Sequence, residues 1–429
     1  MTCDSREFFK LYFQELESRS IPSVILHSYQ DMPDKISSDI DYAVPDSDLR
    51  RLSLVQIELA RRHGWALVQT LQHGVFAYYA VLASLEDPTQ TLRLDVCSNY
   101  ARVRRFLVPE NILLANRVPY RCFHVPAPAG EFMYTVTKLF DAKNKSPARY
   151  IPRLKELWAK DPGDIQKYFN DVFGDTGRPL EQWFETPPDE WNRLRVIMLA
   201  RNRFGPVLMA REGVRVVKRI LRPTGINIAV LGSDGSGKST LLNNMLTLLR
   251  PCFRREQTMH FRPMVLSKRT HDDAAAVSTP HARAPRNIFT SWLRVCYYFS
   301  DYWLGWFLKI FPAKRRSTLL IFDRHFDDML VDERRYRLRG TSFLVRFLRR
   351  LLPRNDHTFI LSASAAVIHQ RKPELSLEAL ESQQRIFQEL AAHNPRFSLI
   401  SAEQPAERVA HQVCREVLRF LAAREEKRH

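Results

Sequence analysis

Cysteine is scarce and unpaired in this chain: Cys3, Cys97, Cys122, Cys252, Cys296 and Cys414 are spread over 429 residues with no C-x-x-C pair. That spacing argues against a zinc site or a disulfide framework and suits reduced thiols in a cytoplasmic protein. No basic segment followed by an apolar run opens the chain, so no signal peptide is expected. No stretch reads as a membrane span either. The most apolar one, residues 292–311, is interrupted by Arg294, Asp301 and Lys309 and reads as a buried helix. There is no internal repeat and no low-complexity tract. Acidic charge is also short, 47 Asp and Glu against 65 Lys and Arg, and the net charge is +18. Residues 251–350 alone hold twenty Lys and Arg against nine Asp and Glu. An anionic partner follows, and phosphorylated substrates, nucleic acid and an anionic membrane surface all answer that description.

What the chain does carry is a phosphate-type turn. Residues 226–231 are an apolar run that reads as a buried strand, Gly232, Gly235 and Gly237 break it, and Lys238, Ser239 and Thr240 open a helix. On that helix Leu241, Leu242, Met245, Leu246 and Leu249 share a face. The spacing G-x-x-x-x-G-K-S, with Ser233, Asp234 and Ser236 among the glycines, lets backbone N–H groups curl around an anion at a helix N-terminus. The segment 232–240 is thus expected to bind ATP, with Lys238 in solvent or on the phosphates and the Ser239 hydroxyl on Mg²⁺.

Downstream, residues 318–323 end an apolar run in Asp323, which would lie beside the turn if the two strands are neighbours. Further strands read at 257–261, 359–361 and 397–400, with helices at 341–352, 376–392 and 405–424. A segment of Arg, His, Pro and Ala covers 262–286, and Trp292, Tyr297, Tyr298, Tyr302, Trp303 and Trp306 form a helical stripe expected in the core. Five strands alternating with helices predict an α/β domain with a doubly wound parallel sheet.

The run from Ser233 to Thr240, followed by Asp323, Arg324 and His325, resembles the P-loop and the Asp-Arg-Tyr/His motif of thymidylate kinases and their relatives, over residues 226–421. The resemblance implies a nucleoside-monophosphate-kinase-like fold, ATP and Mg²⁺ as cofactors, and a homodimer. It also implies roles: Asp323 orders Mg²⁺ or takes a proton, Arg324 grips the acceptor phosphate, and Arg371 stands where such kinases carry a lid arginine. The acceptor half departs from the family. Residues 260–263 keep only an Arg near a Pro of its Arg-Glu-Pro-Gly-Gly-Thr run, and residues 326–336 replace its serine-rich turn and Tyr-Gln pair. Arg334, Arg335, Arg337 and Arg339 either grip a phosphorylated acceptor or coat a surface.

The first half follows a different logic. A helix is expected over 5–18, strands over 23–26, 39–44, 65–71, 75–82 and 91–96, and a helix over 47–63. Asp39 and Asp41 are two apart on a strand and share a face, and Asp95 joins them if its strand pairs nearby. Three converging carboxylates suggest a two-metal site. The pattern is similar to that of the DNA polymerase β-like nucleotidyltransferase superfamily over residues 20–100, with His27 and Ser28 where that family places Gly-Ser.

The expected organisation is therefore an α+β nucleotidyltransferase-like domain over 1–128, a helical extension over 129–223, and a thymidylate kinase-like domain over 224–429. The expected activity is transfer of the ATP γ-phosphoryl group to a small, phosphorylated acceptor. Two alternatives stand beside it: an active nucleotidyltransferase whose second domain supplies or senses nucleotide, and a basic ATPase switch on nucleic acid. The intact Asp323-Arg324 pair and the lack of a nucleic-acid-binding motif disfavour the switch.

Overall fold

The computed structural model describes residues 3–36, 38–102, 105–141, 150–174, 179–185, 196, 205–266 and 284–429. Residues 186–195 and 197–204 of the expected helical extension, and 267–283 of the basic connecting segment, lie outside the described residues. The chain divides into two compact units, Met1–Leu221 with Leu418–His429, and Arg222–Val417. The helical extension thus forms one unit with the α+β part, and the last twelve residues cluster with it too, a grouping that sequence order hides.

The first unit is built on a five-stranded mixed sheet in the order β1-β2-β5-β4-β3. Its strands are β1 (Val24–Ile25), β2 (Ile40–Ala43), β3 (Trp65–Gly74), β4 (Ala77–Ser84) and β5 (Thr91–Cys97). Only β2 and β5 run parallel, and their register sets Asp41 opposite Asp95. The helix Ser5–Ser18 starts where the Asp4 side chain accepts the Glu7 N–H at 2.8 Å. It buries Phe8, Phe9, Tyr12, Phe13 and Leu16 on its 3.6-residue face, and Phe8 stacks on Trp65 at 4.3 Å between ring centroids. The helix expected over 47–63 is two, Asp46–Leu49 and Leu52–Arg62. Two hairpins escaped the sequence reading: β6 (Tyr100–Arg102) with β7 (Arg105–Val108), and β8 (Val118–Tyr120) with β9 (Phe123–Val125). The helices Pro128–Asp141, Ile151–Lys160 and Pro162–Phe173 pack together around Phe132, Leu154, Leu157, Ile165 and Phe169.

The second unit holds five parallel strands in the order β11-β12-β10-β13-β14. They are β10 (Ile226–Gly232), β11 (Arg255–His260), β12 (Thr318–Asp323), β13 (His357–Ser362) and β14 (Phe397–Ser401). The first strand in sequence is central, so the run Ile226–Gly232 is buried throughout, as a strand covered on both faces must be. The aromatic stretch splits between core and surface. Tyr298 and Tyr302 are buried, whereas Trp292 is 42% and Phe307 61% exposed, so the helix Ile288–Gly305 and the single π-helical turn Trp306–Ile310 are half-buried, not buried as expected. Asp301, fully enclosed, accepts from the backbone N–H of Met264, Val265 and Leu266 and pairs with Arg262. A helix at Ala365–Arg371 was not expected. All six cysteines are free, and among the described residues no helix is long and apolar enough to cross a membrane.

Candidate functional site

The carboxyl ends of β10 and β12 build the site of the second unit. Val230 pairs in register with Asp323, so the two chains leave the sheet at the same level. After β10 the backbone takes left-handed angles at Gly232 (φ 151°), Gly235 (φ 89°) and Gly237 (φ 93°). At Gly232 the demand is also steric, because a Cβ there would stand 2.9 Å from the Leu361 carbonyl oxygen. Gly237 caps the helix Lys238–Leu249, whose first N–H groups face the turn. The Ser233 hydroxyl ties the turn to Gln383 at 2.7 Å. Ser239 and Thr240 are exposed, while the buried Ser236 Oγ has no hydrogen-bond partner among the described residues.

Lys238 is not in solvent. Its side chain is 8% exposed, and Nζ donates to the carbonyls of Gly232 and Ser233, each at 2.8 Å. Burial, reinforced by the charge of Arg324, lowers its pKa to about 8 against the opposing pull of Asp234, Asp328 and Asp323.

Asp323 closes β12. Its Oδ2 lies 3.1 Å from His260 Nδ1, while Oδ1 is shut off from solvent and accepts no hydrogen bond among the described residues. Burial would raise the carboxyl, but the His260 contact, with Lys238 and Arg324, lowers it, so the group is anionic at neutral pH. An anionic oxygen buried without a donor among the described residues is the kind of ligand a hard cation takes.

Arg324 turns back over the sheet with φ 72°, its N–H on the Val230 carbonyl at 3.0 Å. The guanidinium, 5% exposed, donates to Asp328 at 2.8 Å and pairs with Asp234, and Tyr336 donates its hydroxyl to Asp328 at 2.8 Å. Burial opposes its charge but is outweighed by Asp328, Tyr336 and Asp234, which raise its pKa. Of the four downstream arginines only Arg335 reaches this site, with Nη1 2.7 Å from Asp234 Oδ2. Arg334 and Arg339 are exposed, and Arg337 donates to the Ala284 carbonyl. Arg371 ends its short helix exposed and donates to the Ala402 carbonyl at 3.1 Å; among the described residues it makes no hydrogen bond to the turn. The residues that sequence reasoning did not assign are His260, Asp328 and Tyr336, brought in by strand order and a loop. A basic cleft of about 490 Å³ opens beside Thr358 and Phe397 at the start of β13 and β14; of the motif residues only His325 lines it.

In the first unit the expected triad separates. Asp41 and Asp95 stand side by side on β2 and β5, while Asp39, just ahead of β2, pairs with Arg93 at 3.1 Å. Each neighbour already has a basic partner: Asp41 Oδ2 lies 2.5 Å from His27 Nε2 and 2.9 Å from Lys138 Nζ, and Asp95 Oδ1 lies 2.8 Å from His73 Nε2. Burial would raise the Asp41 carboxyl, yet His27 and Lys138 hold it down at about 2. Among the described residues no cluster of three or more His, Cys, Asp or Glu side chains forms a metal cage. A pair of metal ions at Asp39, Asp41 and Asp95 would have to displace these basic partners.

No protein-family model matches the chain, and no curated protein matches it.

Proposed function

We propose that the chain is an ATP-dependent phosphotransferase that passes the γ-phosphoryl group to a small, phosphorylated acceptor. One observation carries the reading: the Val230–Asp323 register brings the glycine turn and the Asp323-Arg324 dipeptide together from neighbouring parallel strands. The left-handed glycines and the helix N-terminus behind them suit a polyphosphate. Mg²⁺, when bound, would offset phosphate charge, and Ser239 and Asp323 would hold it.

The chain's own groups supply positioning and charge, which is most of what phosphoryl transfer requires. Lys238 exchanges the carbonyls of Gly232 and Ser233 for the β- and γ-phosphates. Arg324, braced by Asp328, offers a planar fork to the acceptor phosphate. The enclosed position of both cations strengthens these contacts relative to water.

The test is ATP consumption against a panel of nucleoside monophosphates and sugar phosphates, for the parent, Arg324→Ala and Asp323→Ala. The parent is stimulated by at least one acceptor. Arg324→Ala raises the acceptor KM by about ten- to a hundredfold through loss of a charged, forked contact. Asp323→Ala mainly lowers kcat, by about two to three orders of magnitude. A flat response to every acceptor, with basal hydrolysis unchanged in Arg324→Ala, would instead describe an ATPase switch.

A further inference from the structure

Asp234 is held by three cations from three segments. Its Oδ2 faces Arg335 Nη1 at 2.7 Å, its Oδ1 pairs with Arg324, and Lys238 Nζ stands 3.6 Å from Oδ1. The three basic side chains are 8%, 5% and 8% exposed, and Asp234 itself is 16% exposed. Arg324 has a second carboxylate partner in Asp328. Arg335 has none among the described residues; without Asp234 its guanidinium would be an unpaired, nearly buried charge. Such a group is costly to keep unless an anion is meant to meet it.

Two guanidinium forks and an ammonium around one small anion form a phosphate-binding arrangement. The geometry points to the Arg324–Arg335 pair as the site for the phosphate group of the second substrate, with the Asp234 carboxylate standing in for that phosphate until it arrives. This deepens the phosphotransferase reading and rests on it for what the bound phosphate is attached to. Arg335 becomes a specificity residue: a phosphate dianion outcompetes a single carboxylate for the fork, whereas a substrate lacking the phosphate leaves Asp234 in place. The stand-in also weakens apparent affinity, since the fork is competent only in the fraction of molecules from which Asp234 has withdrawn.

The experiment uses the full chain saturated with a non-hydrolysable ATP analogue, so that the glycine turn is filled, and titrates inorganic phosphate by calorimetry. Four proteins are compared: the parent, Arg335→Ala, Arg335→Lys and Asp234→Asn. Arg335→Ala weakens phosphate binding by about ten- to a hundredfold, and Arg335→Lys restores part of it, since an ammonium supplies charge without the fork. Asp234→Asn changes it in the opposite sense, tightening it by about tenfold as the internal competitor is lost. Misfolding cannot imitate a gain in affinity. Equal phosphate affinity in all four proteins overturns the assignment, and so does an absence of phosphate binding in both the parent and Asp234→Asn. The ATP reading fails separately, if the analogue does not bind the parent or binds Lys238→Ala equally well; the dependence of phosphate affinity on Arg335 is read in either case.

Discussion

Lys238 provides a test that depends on its burial and on its chemistry together. Its ammonium rests on two carbonyl oxygens, and burial brings its pKa from 10.5 to about 8. If nucleotide phosphates take over from those carbonyls, the charged form is favoured and the pKa returns toward its ordinary value, so binding is coupled to proton uptake above pH 8. With a free-state pKa of about 8, roughly three quarters of the lysines are neutral at pH 8.5 and about a tenth at pH 7. Binding of an ATP analogue should then take up about 0.7 proton at pH 8.5 and about 0.1 at pH 7. Calorimetry in two buffers of different ionisation enthalpy reads that number directly. Apparent affinity should also fall as pH climbs from 8 toward 10. The same group sets a stability trend: with its folded pKa below its unfolded one, the unfolded chain binds more protons between pH 8 and 10.5, so this contribution to stability rises with pH across that window. Tight binding with no proton uptake at pH 8.5 would refute the account, because it would mean that Lys238 is already an ordinary ammonium before the nucleotide arrives.

Gly232→Ala places a Cβ 2.9 Å from the Leu361 carbonyl at a left-handed φ, and should lower the thermal stability of the second unit by about 1–3 kcal/mol; an unchanged melting temperature would contradict the tight turn. Asp41 titrates at about 2 in place of 3.8, so its contribution is present above pH 4 and is lost as pH falls from 4 toward 2. Lys138→Met should therefore cost about 1 kcal/mol at pH 7 and much less at pH 2 in urea melts, whereas equal losses at both would mean that Lys138 acts by packing. Phe8→Ala removes a fully enclosed ring stacked on Trp65 and should cost about 3–5 kcal/mol in the first unit, read by denaturant unfolding.

The parts of the site that were legible in the sequence are those whose chemistry is local. The glycine turn, Lys238 and the aspartate closing an apolar run are each contiguous signals, and all five strands of the second unit fall within about two residues of their expected places; β10, β12 and β13 do so because buried parallel strands are near-continuous apolar runs. Local logic fails where a long-range partner decides the outcome. Lys238 was expected in solvent or on the phosphates because its motif describes contacts to a nucleotide and says nothing of the turn's own carbonyls, on which the buried ammonium rests. Asp41 and Asp95 stand side by side on neighbouring strands, but spacing says nothing about the basic side chains that meet them from β1's end, from β3 and from the helix Pro128–Asp141. Arg335 was indistinguishable from Arg334, Arg337 and Arg339 in a run of like charges, since only the path of the loop after β12 decides which guanidinium turns inward. Burial separates the four: Arg335, at 8% exposure, lies on a carboxylate of the glycine turn, Arg337 is half-buried on the Ala284 carbonyl, and Arg334 and Arg339 are exposed on the basic surface that the net charge of +18 already announces.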